Sequence, residues 1–148
     1  MKQWERMEDD EMDGCIFCSI SKGTIPSATI YENSEFKVIL DIAPVSKGHT
    51  LILTKEHYDN IFDMDADTAS KLFSLATEVA RAMKNELKCD GLNVVQNNGE
   101  VAGQTVNHFH LHLIPRYAGD DVGINFKSSD TADSEELQEL AKKIRKRI

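Results

Sequence analysis

The sequence predicts an α+β fold in which an antiparallel sheet of about five strands packs against one long helix, with a further helix at the C-terminus. Three observations lead to this prediction. Short runs of β-branched and aromatic residues are bounded by turn residues, as strands usually are. One long segment repeats apolar residues at helical spacing. A second helical pattern, preceded by a polar capping residue, closes the chain of 148 residues.

Five segments have the composition of strands. The first two are separated by Glu32-Asn33-Ser34, which predicts a hairpin, and the third follows a turn that contains Pro44 and Gly48. The last two come after the long helix. The predicted strands are residues 28–31, 36–41, 49–54, 92–96 and 106–114.

Two segments are predicted as helices. Residues 65–88 place one apolar stripe on a helix, and Cys89-Asp90-Gly91 ends it; the stripe contains Ala69, Leu72, Phe73, Ala76, Val79, Ala80, Met83 and Leu87. Residues 133–148 form the second helix, with Asp133 as N-cap and Glu136 completing a capping box. Its apolar positions are Leu137, Leu140, Ile144 and Ile148, and the basic residues near its end complement the helix dipole.

Charge and composition exclude several classes of partner. The net charge is −8, so we expect no general affinity for nucleic acid or for anionic membranes. No apolar run is long enough for a membrane span, and the N-terminus lacks the pattern of a secretory signal. Three cysteines, an odd number, favour a reduced, cytoplasmic protein. Residues 1–14 carry a net charge of −4 and are expected to form a mobile acidic arm.

The segment His108-Phe-His-Leu-His-Leu-Ile114 is the strongest functional pattern in the chain. Side chains alternate along a strand, so His108, His110 and His112 are expected on one face with neighbours about 7 Å apart. Three aligned imidazoles fit either a metal site or nucleophilic catalysis at phosphorus. The preceding polar, glycine-containing turn over residues 97–105 can aim backbone N–H groups at phosphate oxygens, which favours phosphate chemistry.

Cys15-Ile-Phe-Cys18 is a second constellation. Such a pair occurs in redox proteins, in zinc sites, and as two buried structural cysteines. A thioredoxin-like role would need a βαβ context, which the predicted strands do not provide. Zinc would need two more ligands, for which His57 and His108 are available.

Residues 108–114 match the signature His-φ-His-φ-His-φ-φ, with φ apolar, and on this basis the sequence resembles the histidine-triad (HIT) family of nucleotide hydrolases and transferases. The blocks CIFCSISKGTIPSATIYEN, FKVILDIAPVSKGHTLILTKEH and GLNVVQNNGEVAGQTVNHFHLHLIPRY are similar to its bacterial branch. The resemblance covers residues 15–117, which are expected to form a HIT domain. Residues 118–148 form a variable segment that ends in the C-terminal helix.

The resemblance implies roles for particular residues. His110 would attack the α-phosphate and form a nucleotidyl-histidine intermediate, His112 would contact the phosphate and help the leaving group, and His49 would support them. Asp41 would accept hydrogen bonds from the ribose hydroxyls. The phosphates would be lined by Asn97, Gly103, Gln104 and Thr105, and the purine by Ile16, Phe17, Ile20 and Ile42.

The resemblance also implies a metal and an assembly. Zinc-containing members use two cysteines and two histidines, which correspond here to Cys15, Cys18, His57 and His108, as a structural site with four protein ligands. Members are usually homodimers with one continuous sheet. The expected substrates are purine nucleoside phosphoramidates or dinucleoside polyphosphates. Two alternatives stay open: a zinc-dependent hydrolase with the three histidines as ligands, and a non-enzymatic nucleotide-binding regulator.

Overall fold

The computed structural model describes residues 14–148, so the predicted acidic arm lies, apart from Gly14, outside the described residues. Its helices are α1 (Ile16–Ser21), α2 (Ala66–Leu87) and α3 (Ser134–Arg145), and a short 3₁₀ turn spans Glu100–Ala102. Its strands are β1 (Thr29–Glu32), β2 (Phe36–Leu40), β3 (Thr50–Thr54), β4 (Gly91–Val95) and β5 (His110–Arg116). The five strands form one antiparallel sheet in the order β1-β2-β3-β5-β4, which confirms the predicted class and strand number.

The long helix α2 covers one face of the sheet. Asp65 caps its start by accepting a hydrogen bond from the Thr68 N–H (2.8 Å), and Lys88 ends it in a left-handed conformation with φ 54°. The core between helix and sheet is apolar and contains Phe36, Val38, Ile52, Leu72, Ala76, Val79, Met83, Phe109, Leu111 and Leu113. Phe73 was predicted on the buried stripe and is instead 54% exposed, because the turn that buries Leu72 and Ala76 directs it to solvent.

The short helix α1 covers part of the opposite face, and the sequence analysis did not predict it. Six residues are too few to show an apolar period. Phe17 and Ile20 pack on a small second core of Ile39, Leu51 and Leu53. The buried Lys37 donates from Nζ to the carbonyl oxygen of Ile20 (2.9 Å), which ties the end of α1 to β2. The sheet therefore has a helix on each face.

Strand β5 differs from its prediction at both ends. It begins at His110 rather than at residue 106 and continues to Arg116. The Phe109 N–H donates to the carbonyl oxygen of Tyr58 (2.7 Å), so the residues before His110 bond to the segment after β3 instead of to the sheet ladder. His108 therefore precedes the strand instead of lying within it, but Phe17 of α1 contacts the rings of both His108 and His110, so the two side chains point to the same side of the sheet.

The C-terminal helix is confirmed, although it ends at Arg145 rather than at Ile148. The Asp133 carboxylate accepts hydrogen bonds from the N–H groups of Glu135 (3.0 Å) and Glu136 (3.1 Å), as an N-cap does. No residue of this helix is buried. Among residues 14–148, no helix combines the length and the apolar character that crossing a membrane requires.

Candidate functional site

His110 lies on β5 opposite Leu53 of β3, with its ring almost completely buried. Its Nδ1 is 2.7 Å from the carbonyl oxygen of His108. A carbonyl oxygen only accepts hydrogen bonds, so Nδ1 carries the proton and Nε2 carries the lone pair. Burial lowers the pKa of His110, which keeps the ring neutral at pH 7. The Phe17 ring meets the imidazole edge-on, with ring centroids 4.9 Å apart, and covers it.

His112, two residues further along the same face, is joined to His49. The backbone N–H of Val45 donates to His49 Nδ1 (3.2 Å), so in the neutral ring the proton of His49 is on Nε2. That Nε2 lies 2.9 Å from His112 Nδ1 and donates to it. His112 is therefore left with its own proton on Nε2. Burial, with smaller contributions from the neighbouring His110 and His49, lowers the pKa of His112 to about 4.

The turn before β3 fixes His49. Gly48 has φ 91°, a conformation that residues with a side chain rarely adopt, and a Cβ there would also require the Leu87 side chain to move. The Asp41 N–H donates to the carbonyl oxygen of His49 (2.8 Å), which closes the turn. One carboxylate oxygen of Asp41 accepts from the Ala43 N–H (2.8 Å), and the other lies 3.6 Å from His49 Nε2.

A cavity of about 720 Å³ opens between α1 and the sheet, beside His110 and His112. Its walls are mostly apolar, and Asp41 and Thr105 supply polar atoms. The residues predicted for a purine are all among its lining: Ile16, Phe17, Ile20 and Ile42. Sequence reasoning missed another part of the lining, the segment of Ile25, Pro26, Ser27 and Ala28, because that segment has no motif and no period.

Only some residues of the polar turn before β5 line the cavities beside the histidines. Thr105 lines the first cavity, and Asn97 lines a second cavity of about 490 Å³ that also contacts His49 and His112. Within the described chain, neither cavity is lined by Gly103 or Gln104. The Gln104 side chain accepts from the Gly99 N–H (2.7 Å) and donates to the carbonyl oxygens of Asp59 and Val106 (2.9 Å for Val106), so its polar atoms hold the loop.

Four side chains of metal-ligand type converge behind His110. The ligand atoms of Cys15, Cys18, His57 and His108 all lie within 4.8 Å of one another. Cys18 Sγ is 3.2 Å from His57 Nδ1 and 3.4 Å from His108 Nδ1, and Cys15 Sγ is 3.4 Å from His108 Nδ1. These separations are near the roughly 3.5 Å between sulfur and nitrogen ligands of a tetrahedral zinc ion.

The tautomers of the two histidines fit a metal. The Nε2 of His108 lies 2.8 Å from the carbonyl oxygen of Thr54, and the Nε2 of His57 lies 2.8 Å from the Asp59 carboxylate. Both acceptors require the proton on Nε2, which leaves the lone pair on Nδ1, facing the cysteines. Such outer hydrogen bonds are usual for metal-bound histidines. The residues therefore fit a four-coordinate ion with no open position.

A second group, Asp41, His49 and His112, is also close enough to bind a metal, but its protons do not fit one. The nitrogen of His49 that faces the group is Nε2, and the Val45 N–H keeps the proton there. A metal at this point would have to displace that proton and break the Val45 contact. The group therefore favours a proton over a metal ion at His49 Nε2.

The HIT domain family model matches residues 22–119. A crystal structure of a HIT family member from Bacillus subtilis superposes with a TM-score of 0.87 at 42% identity, covering 92% of this chain and 98% of that one. A zinc-bound histidine triad protein from Mycobacterium smegmatis has a TM-score of 0.71 at 35% identity, with coverages of 88% and 97%. A structure described as a hypothetical histidine triad nucleotide-binding protein from Sulfolobus tokodaii has a TM-score of 0.69 at 38% identity, with coverages of 89% and 90%.

The sheet, its paired histidines and these matches define a histidine triad protein. The chain belongs to the HIT domain family.

Proposed function

We propose that the protein hydrolyses or transfers nucleotides by cleavage at the α-phosphate, through a nucleotidyl-histidine intermediate on His110, and releases a nucleoside monophosphate. The observation that carries this proposal is the hydrogen bond from His110 Nδ1 to the His108 carbonyl (2.7 Å), which leaves a neutral Nε2 lone pair. A neutral imidazole with a fixed tautomer is ready to attack phosphorus without losing a proton first.

The first cavity takes the nucleoside. Its apolar walls, with Phe17 and Ile16 on α1, suit the faces of a purine. Asp41 lies where a carboxylate oxygen can accept hydrogen bonds from the 2′- and 3′-hydroxyls of a ribose. Ile42, fully exposed at the rim, would be covered by the bound base. With the nucleoside bound in this way, the α-phosphate would lie beside His110 and His112.

The reaction then has two displacements. In the first, His110 Nε2 forms a bond to phosphorus while the bond from phosphorus to the leaving group breaks; His112 donates a hydrogen bond from Nε2–H to the leaving atom, which takes up a proton from solvent. In the second, water attacks phosphorus, the bond to His110 breaks, and the attacking water returns a proton to solvent, while His112 Nε2–H donates a hydrogen bond to a phosphoryl oxygen. His49 keeps His112 in the required tautomer throughout, because its Nε2–H points at His112 Nδ1.

The second cavity receives the leaving group. His112 lines both cavities, so its proton lies between the nucleoside and the departing group. Among the described residues that line the second cavity, Asp121 is acidic and there is no lysine or arginine. An amine leaving group suits this surface better than an anionic polyphosphate, which supports purine nucleoside phosphoramidates over dinucleoside polyphosphates as substrates.

A structural zinc ion held by Cys15, Cys18, His57 and His108 completes the proposal. With four protein ligands, such an ion would join α1 to the start of β5 and leave no position for substrate. The ring of His108 would then bind the metal, and the carbonyl oxygen of His108 would hold the tautomer of His110. The same set leaves the three-histidine hydrolase without support, since His108 faces the cysteines.

A homodimer with a continuous sheet is part of the same proposal. β4 is at one edge of the sheet, and its Val94 side chain is half exposed. An unpaired edge of this kind can accept a strand from a second copy.

Intact mass spectrometry after brief mixing with an adenosine phosphoramidate tests the chemistry. Wild type and His112→Ala are compared, because the variant should slow breakdown of the intermediate. A mass gain of one AMP that maps to His110 is the expected result, and His110→Ala should bind nucleotide without turnover. Product without an adduct, lost on chelation, would support a metal hydrolase instead. Nucleotide binding with neither adduct nor product would leave a regulator.

A further inference from the structure

The C-terminal helix α3 exposes an apolar stripe that no part of its own described chain covers. Leu137, Leu140 and Ile144 are 51%, 54% and 55% exposed, and Ile148 just beyond the helix is fully exposed. An amphipathic helix normally turns such a stripe to a core. A helix of 12 residues is also marginal without tertiary contacts. Both facts call for a partner.

The stripe has the spacing of a helix–helix seam. Leu137, Leu140 and Ile144 are three and four residues apart, as in the core positions of a coiled coil, and Ala141 lies beside them. Small and large residues then alternate along the seam. The pattern therefore fits another helix better than a flat surface.

Charge along α3 is divided about its middle. The first half carries Glu135, Glu136 and Glu139, and the end carries Lys142, Lys143, Arg145, Lys146 and Arg147. At helical spacing, Glu136, Lys143 and Arg147 border one side of the stripe. Glu139 and Lys142 lie on the far face, where they already pair with each other at 2.9 Å.

The helix is complementary to itself when it is reversed. In an antiparallel pair, Leu137 of one copy lies opposite Ile144 of the other, and Leu140 opposite Ala141. In a two-fold symmetric antiparallel pair, the side of the stripe that carries Glu136, Lys143 and Arg147 lies against the same side of the second copy. Glu136 therefore faces Lys143 and Arg147 of the second copy. A parallel pair would instead bring Lys143 and Arg147 towards Arg145 of the second copy, and like charges repel.

We infer that α3 is an interaction surface for a second copy of this chain and pairs antiparallel with the α3 of that copy. The seam is shorter than a standard protein interface, so the contact is concentration-dependent. It goes beyond the proposed function, because neither nucleotide nor metal takes part. It is also separate from strand pairing at β4.

Charge exchange on the full-length protein tests the pairing. E136K makes the border of the stripe wholly basic, and K143E/R147E makes it wholly acidic. Each variant alone should weaken self-association by about tenfold in a sedimentation-velocity dilution series, since like charges then face each other. An equimolar mixture of the two should recover wild-type association. The matched control is E139K/K142E on the far face, which should sediment as wild type.

If the substitutions only unfolded α3, mixing the two variants would not restore association. The mixture therefore distinguishes loss of pairing from loss of the helix. A photo-reactive benzoylphenylalanine in place of Leu140 gives the contact directly. The expected product is a cross-link between the α3 peptides of two copies, identified by mass spectrometry. A cross-link to any other segment, or failure of the mixture to recover, would overturn the inference.

Discussion

His49 Nε2 lies 2.9 Å from His112 Nδ1, and the backbone N–H of Val45 decides which nitrogen holds the proton between them. The consequence is a directed chain of hydrogen bonds that starts at a main-chain donor and ends with a proton on His112 Nε2. Burial lowers the pKa of His49 as well, so neither ring needs to be charged for the chain to form. The site is prepared to donate a hydrogen bond from a neutral ring.

Replacement of His49 tests this chain. His49→Ala should lower kcat by about 10- to 100-fold, because His112 is then free to place its proton on Nδ1. His49→Gln should retain more activity, since an amide N–H₂ can still donate to His112. The loss should grow as the leaving group becomes more basic. Equal losses for both variants with every leaving group would contradict the role of His112 as hydrogen-bond donor to the leaving atom.

The pH profile should show an acid limb below the ordinary histidine range. Attack needs a neutral His110, and burial lowers the pKa of that ring. The hydrogen bond to the leaving atom needs the His112 tautomer that His49 sets, and the pKa of His112 is lowered to about 4. Activity is therefore retained as pH falls through 6.5 and is lost only below it, as the rings gain protons. Single-turnover rates from pH 4 to 8 measure this. A limb centred at 6.5 or above would show that the rings are not desolvated.

The zinc content should depend on the cluster that contains His57 and not on the group that contains His49. We expect one zinc per chain in wild type and in His49→Ala, and none in His57→Ala, by elemental analysis of purified protein. Stripping the metal should lower the Tm, and added zinc should restore it, because the ion joins α1 to the rest of the fold. Zinc loss from His49→Ala would show that the metal is bound by the group of Asp41, His49 and His112 and would contradict the proposed site.

Asp41 should determine the preference for ribose. Asp41→Asn keeps an acceptor oxygen but loses the charge that strengthens its hydrogen bonds to two hydroxyls. We expect kcat/KM for the ribonucleotide to fall about tenfold and the value for the 2′-deoxynucleotide to fall less. Calorimetric binding of AMP and dAMP to His110→Ala gives the same comparison without turnover. An unchanged ratio would remove Asp41 from the ribose site.

The core beneath α2 should determine stability without affecting chemistry. Leu72→Ala removes a fully buried side chain and should lower the free energy of unfolding by about 3 kcal/mol. Phe73→Ala, one residue along and half exposed, should cost less than about 1 kcal/mol. Urea denaturation measures both. The kcat of the folded Leu72→Ala protein should equal that of wild type, since the helix lies on the face opposite the histidines.

Local patterns were sufficient for much of this fold. The five strands and the α2 and α3 helices follow from apolar period, turn residues and, for α3, the Asp133 cap, and each of these signals acts within a few residues. Their order in the sheet depends mostly on long-range pairing, and only the hairpin of β1 and β2 was predicted from the sequence. The start of β5 was wrong because the contact that removes Phe109 from the ladder comes from Tyr58, about fifty residues earlier.

The site was predicted unevenly for the same reason. A three-histidine motif and two cysteines are visible in sequence, and the structure brings the four metal-type ligands together. The proton positions depend on partners such as Val45 and Thr54 that carry no motif, since both act through the main chain. The resemblance places Gln104 beside the phosphates; in the structure its side chain makes hydrogen bonds within the loop, and its role at the phosphates stays a prediction.

The contact that sets the tautomer of His110 comes from the main chain of His108, and every amino acid has a carbonyl. During evolution, a lineage could therefore exchange the His108 imidazole, lose both cysteines with it, and still present the same lone pair on His110. The reactive histidine and the metal ligands occupy neighbouring positions but are open to separate selection. Descendants without the four ligands are expected to keep the chemistry and to replace the lost cross-link with ordinary packing.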